Sequence, residues 1–246
     1  MDGFFTVLLF GVVAALGDII GGLVLTASKP LGEGAFLRYI IALSVGFMLA
    51  LALLDMIPES MRLTPLAPFL ILLAYLMVHF FEHTVPAHFH FGEETHPEAM
   101  VKASVGYLAF VGLAVHSFFD GISIASGFAV SHGLGLLVAS GVLLHKLPEG
   151  FTVASIMVAA GQGRARALGS AVAIGLATIL GVLVLSLTSG LASYGLALSA
   201  GAILYVAASD LMPEVNKEVG PRMALLVFAG VLLFYLAEHL LSRFGV

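Results

Sequence analysis

The chain has 246 residues, of which 60% are hydrophobic and 10% charged, with net charge −5, no cysteine and mean hydropathy +1.10. A water-soluble domain is about a quarter charged, so this chain has too little polar surface to cover itself in water, and lipid is its expected solvent. The acidic balance without a basic tail argues against nucleic acid as a partner, and the lack of cysteine excludes disulfides, thiolate zinc sites, iron–sulfur clusters and thiol nucleophiles.

A helix needs about 20 apolar residues to cross the hydrocarbon core. Eight such runs follow one another, at 4–27, 36–58, 65–83, 103–129, 134–160, 166–188, 192–213 and 221–242, so the expected fold is an all-α membrane protein with one transmembrane domain over 1–246. The first run carries Asp2 and no basic residue at its start, and reads as a helix in its own right, not a cleaved leader. It contains Asp18, expected either to line the exit path or to make a structural hydrogen bond. Its Gly17 and Gly21 permit close helix contact.

The second run ends Asp55-Met-Ile-Pro58-Glu59 and the third Phe81-Glu82-His83. The one long connection, 84–102, holds His88, His90 and His96 among acidic residues. They are read as a metal-collecting loop, or else as ordinary loop histidines. The fourth run contains His116-Ser117-Phe-Phe-Asp120-Gly121 and the fifth His145-Lys146-Leu-Pro148-Glu149-Gly150. The sixth has no carboxylate. The seventh ends Asp210-Leu-Met-Pro213-Glu214 and the eighth Ala237-Glu238-His239.

Lysine and arginine set the orientation. With the N-terminus outside, the cytoplasmic side receives Lys29, Arg38, Lys102, Arg164, Arg166, Lys217 and Arg222. The outside receives Arg62 and Arg243, and Lys146 stays within the membrane. Both termini are therefore expected outside a plasma (inner) membrane, with the histidine loop in the cytoplasm.

The endings of runs two and three are echoed by those of runs seven and eight, and the interval from Asp to the second Glu is 27 residues (55 to 82) and 28 residues (210 to 238). Three spans flank a central pair on each side, a 3+2+3 arrangement in which the two halves have opposite topology. Inverted repeats of this kind are built around a substrate near the midplane. By that symmetry Asp55, Glu59, Glu238 and His239 form an outer vestibule, and Asp210, Glu214, Glu82 and His83 an inner one.

The central pair carries the chemistry. His116 and Asp120, like His145 and Glu149, are four residues apart and share a helix face. Ionisable groups inside a membrane are expensive and usually functional. Two facing helices would bring two imidazoles and two carboxylates together, a tetrahedral N/O set suited to zinc, and the two carboxylates would neutralise one divalent cation. Pro148 removes a helical hydrogen bond and frees the Leu144 carbonyl. The alternative is two histidines packed in a bundle with carboxylates as interhelical partners. Two matched pairs at one spacing on adjacent helices favour the metal.

Here HSFFDG and HKLPEG, in that order, resemble the two signatures of the ZIP (Zrt-/Irt-like protein) family of divalent metal-ion transporters. The resemblance extends to the eight spans, the outward termini and the histidine loop. It implies a transport site made by His116, Asp120, His145 and Glu149 and import of zinc toward the cytoplasm, with cadmium, iron, cobalt and manganese as related substrates. It also implies a helix bundle moving against a scaffold. Some family members bind a second, adjacent metal through an Asn after the first histidine, an acidic residue after the second and a Glu on the sixth helix. Here Ser117 and Lys146 stand at the first two positions. A mononuclear site is expected, with the Lys146 ammonium replacing the second cation, unless Lys146 faces away or snorkels to the interface.

Two other classes compete. His79-Phe-Phe-Glu82-His83 matches H-x-x-E-H, the pattern of a zinc metallohydrolase, but no third ligand is evident. A channel or metal sensor is the other alternative. No Walker A loop is present and the nine methionines are scattered, giving no sign of direct ATP drive or a Cu(I) path. A transporter, not an enzyme, is expected. Its partners are the metal ion and the lipid bilayer, with a homodimer left open.

Overall fold

The computed structural model describes residues 2–27, 35–84, 103–218 and 220–243. Within them the chain is all-helical. Helix α1 is Asp2–Ala27; α2 runs through Ala35–Ala50, Leu51–Met56 and Ile57–Leu63; α3 is Ala67–Thr84; α4 is Ala103–Val130; α5 is His132–Ala159; α6 is Arg164–Leu187; α7 runs through Ala192–Tyr205, Val206–Leu211 and Met212–Asn216; and α8 is Pro221–Arg243. Seven of these helices are long and apolar enough to cross a membrane, and the apolar part of α3, Ala67–Phe81, is shorter.

Local chemistry sets the boundaries. Ser131 is extended (φ −155°) and its side chain accepts a hydrogen bond from the Leu134 N–H, capping α5. At the far end Gly161 takes φ +76°. The Gln162 N–H then donates to the Met157 carbonyl and the Gly161 N–H to that of Val158. Those two bonds close a Schellman motif, and the positive φ is why a glycine stands there.

Pro58 and Pro213 do not end their helices, contrary to the spans expected to stop at 58 and 213. Each helix widens first. The Ile57 N–H donates to the Ala52 carbonyl, and the Met212 N–H to that of Ala207. Both bonds span five residues instead of four, which makes Leu51–Met56 and Val206–Leu211 π-helical turns. The extra residue lets a proline, which has no N–H to donate, follow without breaking the rod. Asp55 and Asp210 hold matched positions in the two turns.

Helices α1, α4, α5 and α6 pack on one another, while α2 pairs with α8 and α3 with α7. Contacts of α2 with α5 and of α4 with α7 join these groups. Several backbone approaches are close enough to require glycine, and two of them seat the helices that carry the cluster. A Cβ on Gly121 would lie 1.9 Å from the Thr178 carbonyl oxygen, and one on Gly150 would lie 1.9 Å from that of Asp18. The first seats α4 on α6, the second α5 on α1. Outward faces carry exposed Leu9, Leu16, Leu72, Leu180, Leu187, Phe228 and Leu232, a surface that water would penalise and lipid accepts.

Candidate metal centre

Helix α4 contributes His116 and Asp120, and α5 contributes His145 and Glu149. One ligand atom from each of the four lies within 4.8 Å of every other. The Asp120 Oδ2 atom is 3.3 Å from His116 Nε2 and 3.2 Å from His145 Nε2, and Glu149 Oε2 is 4.0 Å from His145 Nε2. Zinc bonds of about 2.0–2.1 Å in a tetrahedron place neighbouring ligand atoms about 3.3 Å apart. Two of these separations already match, and the third closes with about 0.7 Å of side-chain motion.

The His145 Nδ1–H donates to the Gly141 carbonyl at 3.1 Å. A carbonyl can only accept, so this bond puts a proton on Nδ1 and directs Nε2 into the cluster. An Nε2 lone pair 3.2 Å from a carboxylate oxygen repels it unless a proton or metal ion lies between them. The two imidazole rings have centroids 5.7 Å apart. Asp120, His145 and Glu149 are buried and His116 is half-buried.

Lys146 does not snorkel. It is completely buried, and its Nζ donates to Glu149 Oε2 at 2.6 Å and Ser117 Oγ at 3.1 Å, and lies 2.8 Å from Asp120 Oδ2. Ser117 in turn donates to Glu149 Oε1. Asp18 of α1, also fully buried, is 3.5 Å from the same ammonium through Oδ2. The i, i+3 spacing signals the Lys146–Glu149 pair, whereas the Ser117 and Asp120 contacts depend on how α4 packs on α5, and the Asp18 contact on how α1 seats on α5.

At one end of the bundle Asp55, Glu59 and Glu238 line a cavity of about 330 Å³ together with Arg62 and Ser131. His239, expected beside them, is exposed on α8 and is not among the lining residues. Sequence reasoning missed Arg62, which pairs with Glu59 at 2.6 Å. Their i, i+3 spacing was the available signal. Of the inner set, Asp210 is buried and Glu214 pairs with Lys217 at 3.0 Å. The side chains of Glu82 and His83, and the whole of His88, His90 and His96, lie outside the described residues. His79, the first residue of the H-x-x-E-H stretch, sets its ring against Tyr205 with centroids 6.0 Å apart.

An apolar, all-helical chain with a buried His/carboxylate cluster defines a polytopic membrane protein whose interior is fit for a cation. Its sequence narrows the class: the family described as ZIP Zinc transporter matches residues 92–238, more than half of the chain, and the chain belongs to that family. It is 29% identical over 150 residues to the zinc transporter SLC39A7 of Homo sapiens, covering 55% of this chain and 32% of that protein. To the zinc transporter ZIP13 of Danio rerio it is 28% identical over 147 residues, 56% of this chain and 42% of the other. To the zinc transporter ZIP4 of Homo sapiens it is 33% identical over 124 residues, 49% and 19%. The match thus spans less than half the length of each of these relatives.

Proposed function

We propose that this membrane protein carries zinc, or a closely related divalent cation, toward the cytoplasm through His116, Asp120, His145 and Glu149 by alternating access. The observation that carries the reading is the convergence of these four ligand atoms within 4.8 Å in the interior of an apolar bundle. Relatives named as zinc transporters support zinc as the cargo. Cadmium, iron, cobalt and manganese fit the same donor set less selectively.

The cation enters past Asp55, Glu59 and Glu238, whose cavity supports an outer vestibule. It sheds water at the four ligands, where two imidazoles and two carboxylates replace its hydration shell. It then leaves past Asp210, Glu214, Glu82 and His83 to the cytoplasmic side. The matched π turns at Asp55 and Asp210 favour the inverted 3+2+3 repeat, because each widens its helix one residue before the same Pro-Glu step. In this reading the α1, α4, α5 and α6 group moves against the α2, α3, α7 and α8 helices. The site is mononuclear, with Lys146 occupying the position of a second cation.

Liposomes containing the purified protein and a zinc-sensitive dye in the lumen test this reading. Added zinc should raise the luminal signal well above that of protein-free liposomes, and equal signals would reject transport.

A further inference from the structure

Lys146 poses a charge problem for the site it helps build. Its ammonium touches Asp120 Oδ2 at 2.8 Å and Glu149 Oε2 at 2.6 Å. Those are the oxygens that also face the histidines. With neutral imidazoles, the two carboxylates and the ammonium sum to one negative charge, half of what a divalent cation needs. The lysine also competes with the cation for the same oxygens.

Asp18 supplies the missing charge. Among the described residues it is the carboxylate in contact with Lys146 that stands outside the His/carboxylate cluster. It reaches the ammonium from a third helix, α1, held there by the close α1–α5 approach that Gly21 and Gly150 permit. A structural role would be served by a hydrogen bond, yet both Asp18 carboxylate oxygens are buried and accept none among the described residues. Buried polar groups are almost always hydrogen-bonded, so this exception requires an explanation. The 3.5 Å contact with Nζ uses the charge of Asp18 and not its hydrogen-bonding capacity.

We propose that Asp18 is a positioning residue of the metal centre: it holds the Lys146 ammonium as an ion pair of its own and leaves Asp120 and Glu149 to the incoming cation. The buried charge then comes to two negatives, which one divalent ion neutralises. The inference rests on the four-ligand reading of the site.

A double-variant cycle of zinc affinity, measured by calorimetry on the purified full chain, tests it. Wild type, Asp18→Asn, Lys146→Met and the combination are compared. Asp18→Asn should bind zinc about tenfold more weakly, since the ammonium turns wholly onto the ligand carboxylates. The combination removes one charge of each sign and should return affinity to within about threefold of wild type, a rescue that independent effects would not give. An Asp18→Asn affinity equal to wild type, or a combination weaker than Asp18→Asn alone, overturns the proposal and leaves the four-ligand site standing. If wild type binds no zinc, the four-ligand reading fails and takes this one with it. Should Asp18→Asn not fold, recovery of folded protein in the combination supports the pairing. Failure of both makes Asp18 merely structural and overturns it.

Discussion

The Ser44 hydroxyl of α2 donates a hydrogen bond at 2.9 Å to the Leu144 carbonyl of α5, the acceptor that Pro148 leaves without its helical donor. The same oxygen lies 2.8 Å from the Ile40 carbonyl of its own helix, so one proton is shared between two acceptors. The bond ties α2 to the helix that carries His145 and Glu149, one residue before His145.

Replacing Ser44 with alanine strands the Leu144 carbonyl in a buried setting. A buried acceptor left without a partner costs about 1–3 kcal/mol, and the shared proton puts Ser44→Ala at the lower end. Thermal unfolding of the detergent-solubilised variant should show a modest drop in Tm with the helical signal retained. An unchanged Tm would mean that another donor replaces the hydroxyl.

Helix approach makes a sharper contrast. Gly150→Ala puts a methyl 1.9 Å from the Asp18 carbonyl oxygen, a clash with backbone that no rotamer relieves. It should destabilise by about 3 kcal/mol or more and deplete the folded peak on size-exclusion chromatography. Gly169, exposed on α6 with nothing within 4 Å of its Cβ position, is the control. Gly169→Ala should leave stability unchanged or raise it by up to about 1 kcal/mol, since alanine is the better helix former.

Removing the lysine should change the stoichiometry. Metal analysis of washed protein should find one zinc per wild-type chain. Lys146→Ala vacates a position ringed by oxygens of Asp18, Asp120, Glu149 and Ser117, and should raise the count toward two. Two zinc ions on wild type would contradict the reading of Lys146 as a built-in cation.

Protons compete with the metal for imidazole and carboxylate ligands, so occupancy and uptake must fall as the solution is acidified. Initial zinc uptake should drop by about tenfold or more between pH 7.5 and pH 5. A flat profile over that range would exclude these four residues as the ligands.

Much of this is legible in the sequence because it is local. A four-residue spacing fixes a shared helix face, so the sequence alone pairs His116 with Asp120 and His145 with Glu149, and their appearance on neighbouring central helices joins them into one cluster. Long uncharged runs mark the helices for the same reason. The π turns are invisible, since a five-residue bond depends on how α2 and α7 pack ahead of Pro58 and Pro213. Sequence does not assign Asp18 to Lys146, because 128 positions separate them and only the glycine-mediated seating of α1 on α5 brings them together. The expectation of His239 in the outer cavity rests on symmetry alone, which says nothing of where a side chain on α8 points.

The central claim is that the His/carboxylate cluster is the route of the cation. Its most direct test is zinc uptake into liposomes by wild type beside His145→Ala and Glu149→Ala, each shown to be folded by its elution profile. Wild type should take up zinc and both variants should lose about 100-fold or more, since each removes one of four ligands. Variants that fold and still move zinc at the wild-type rate would contradict it.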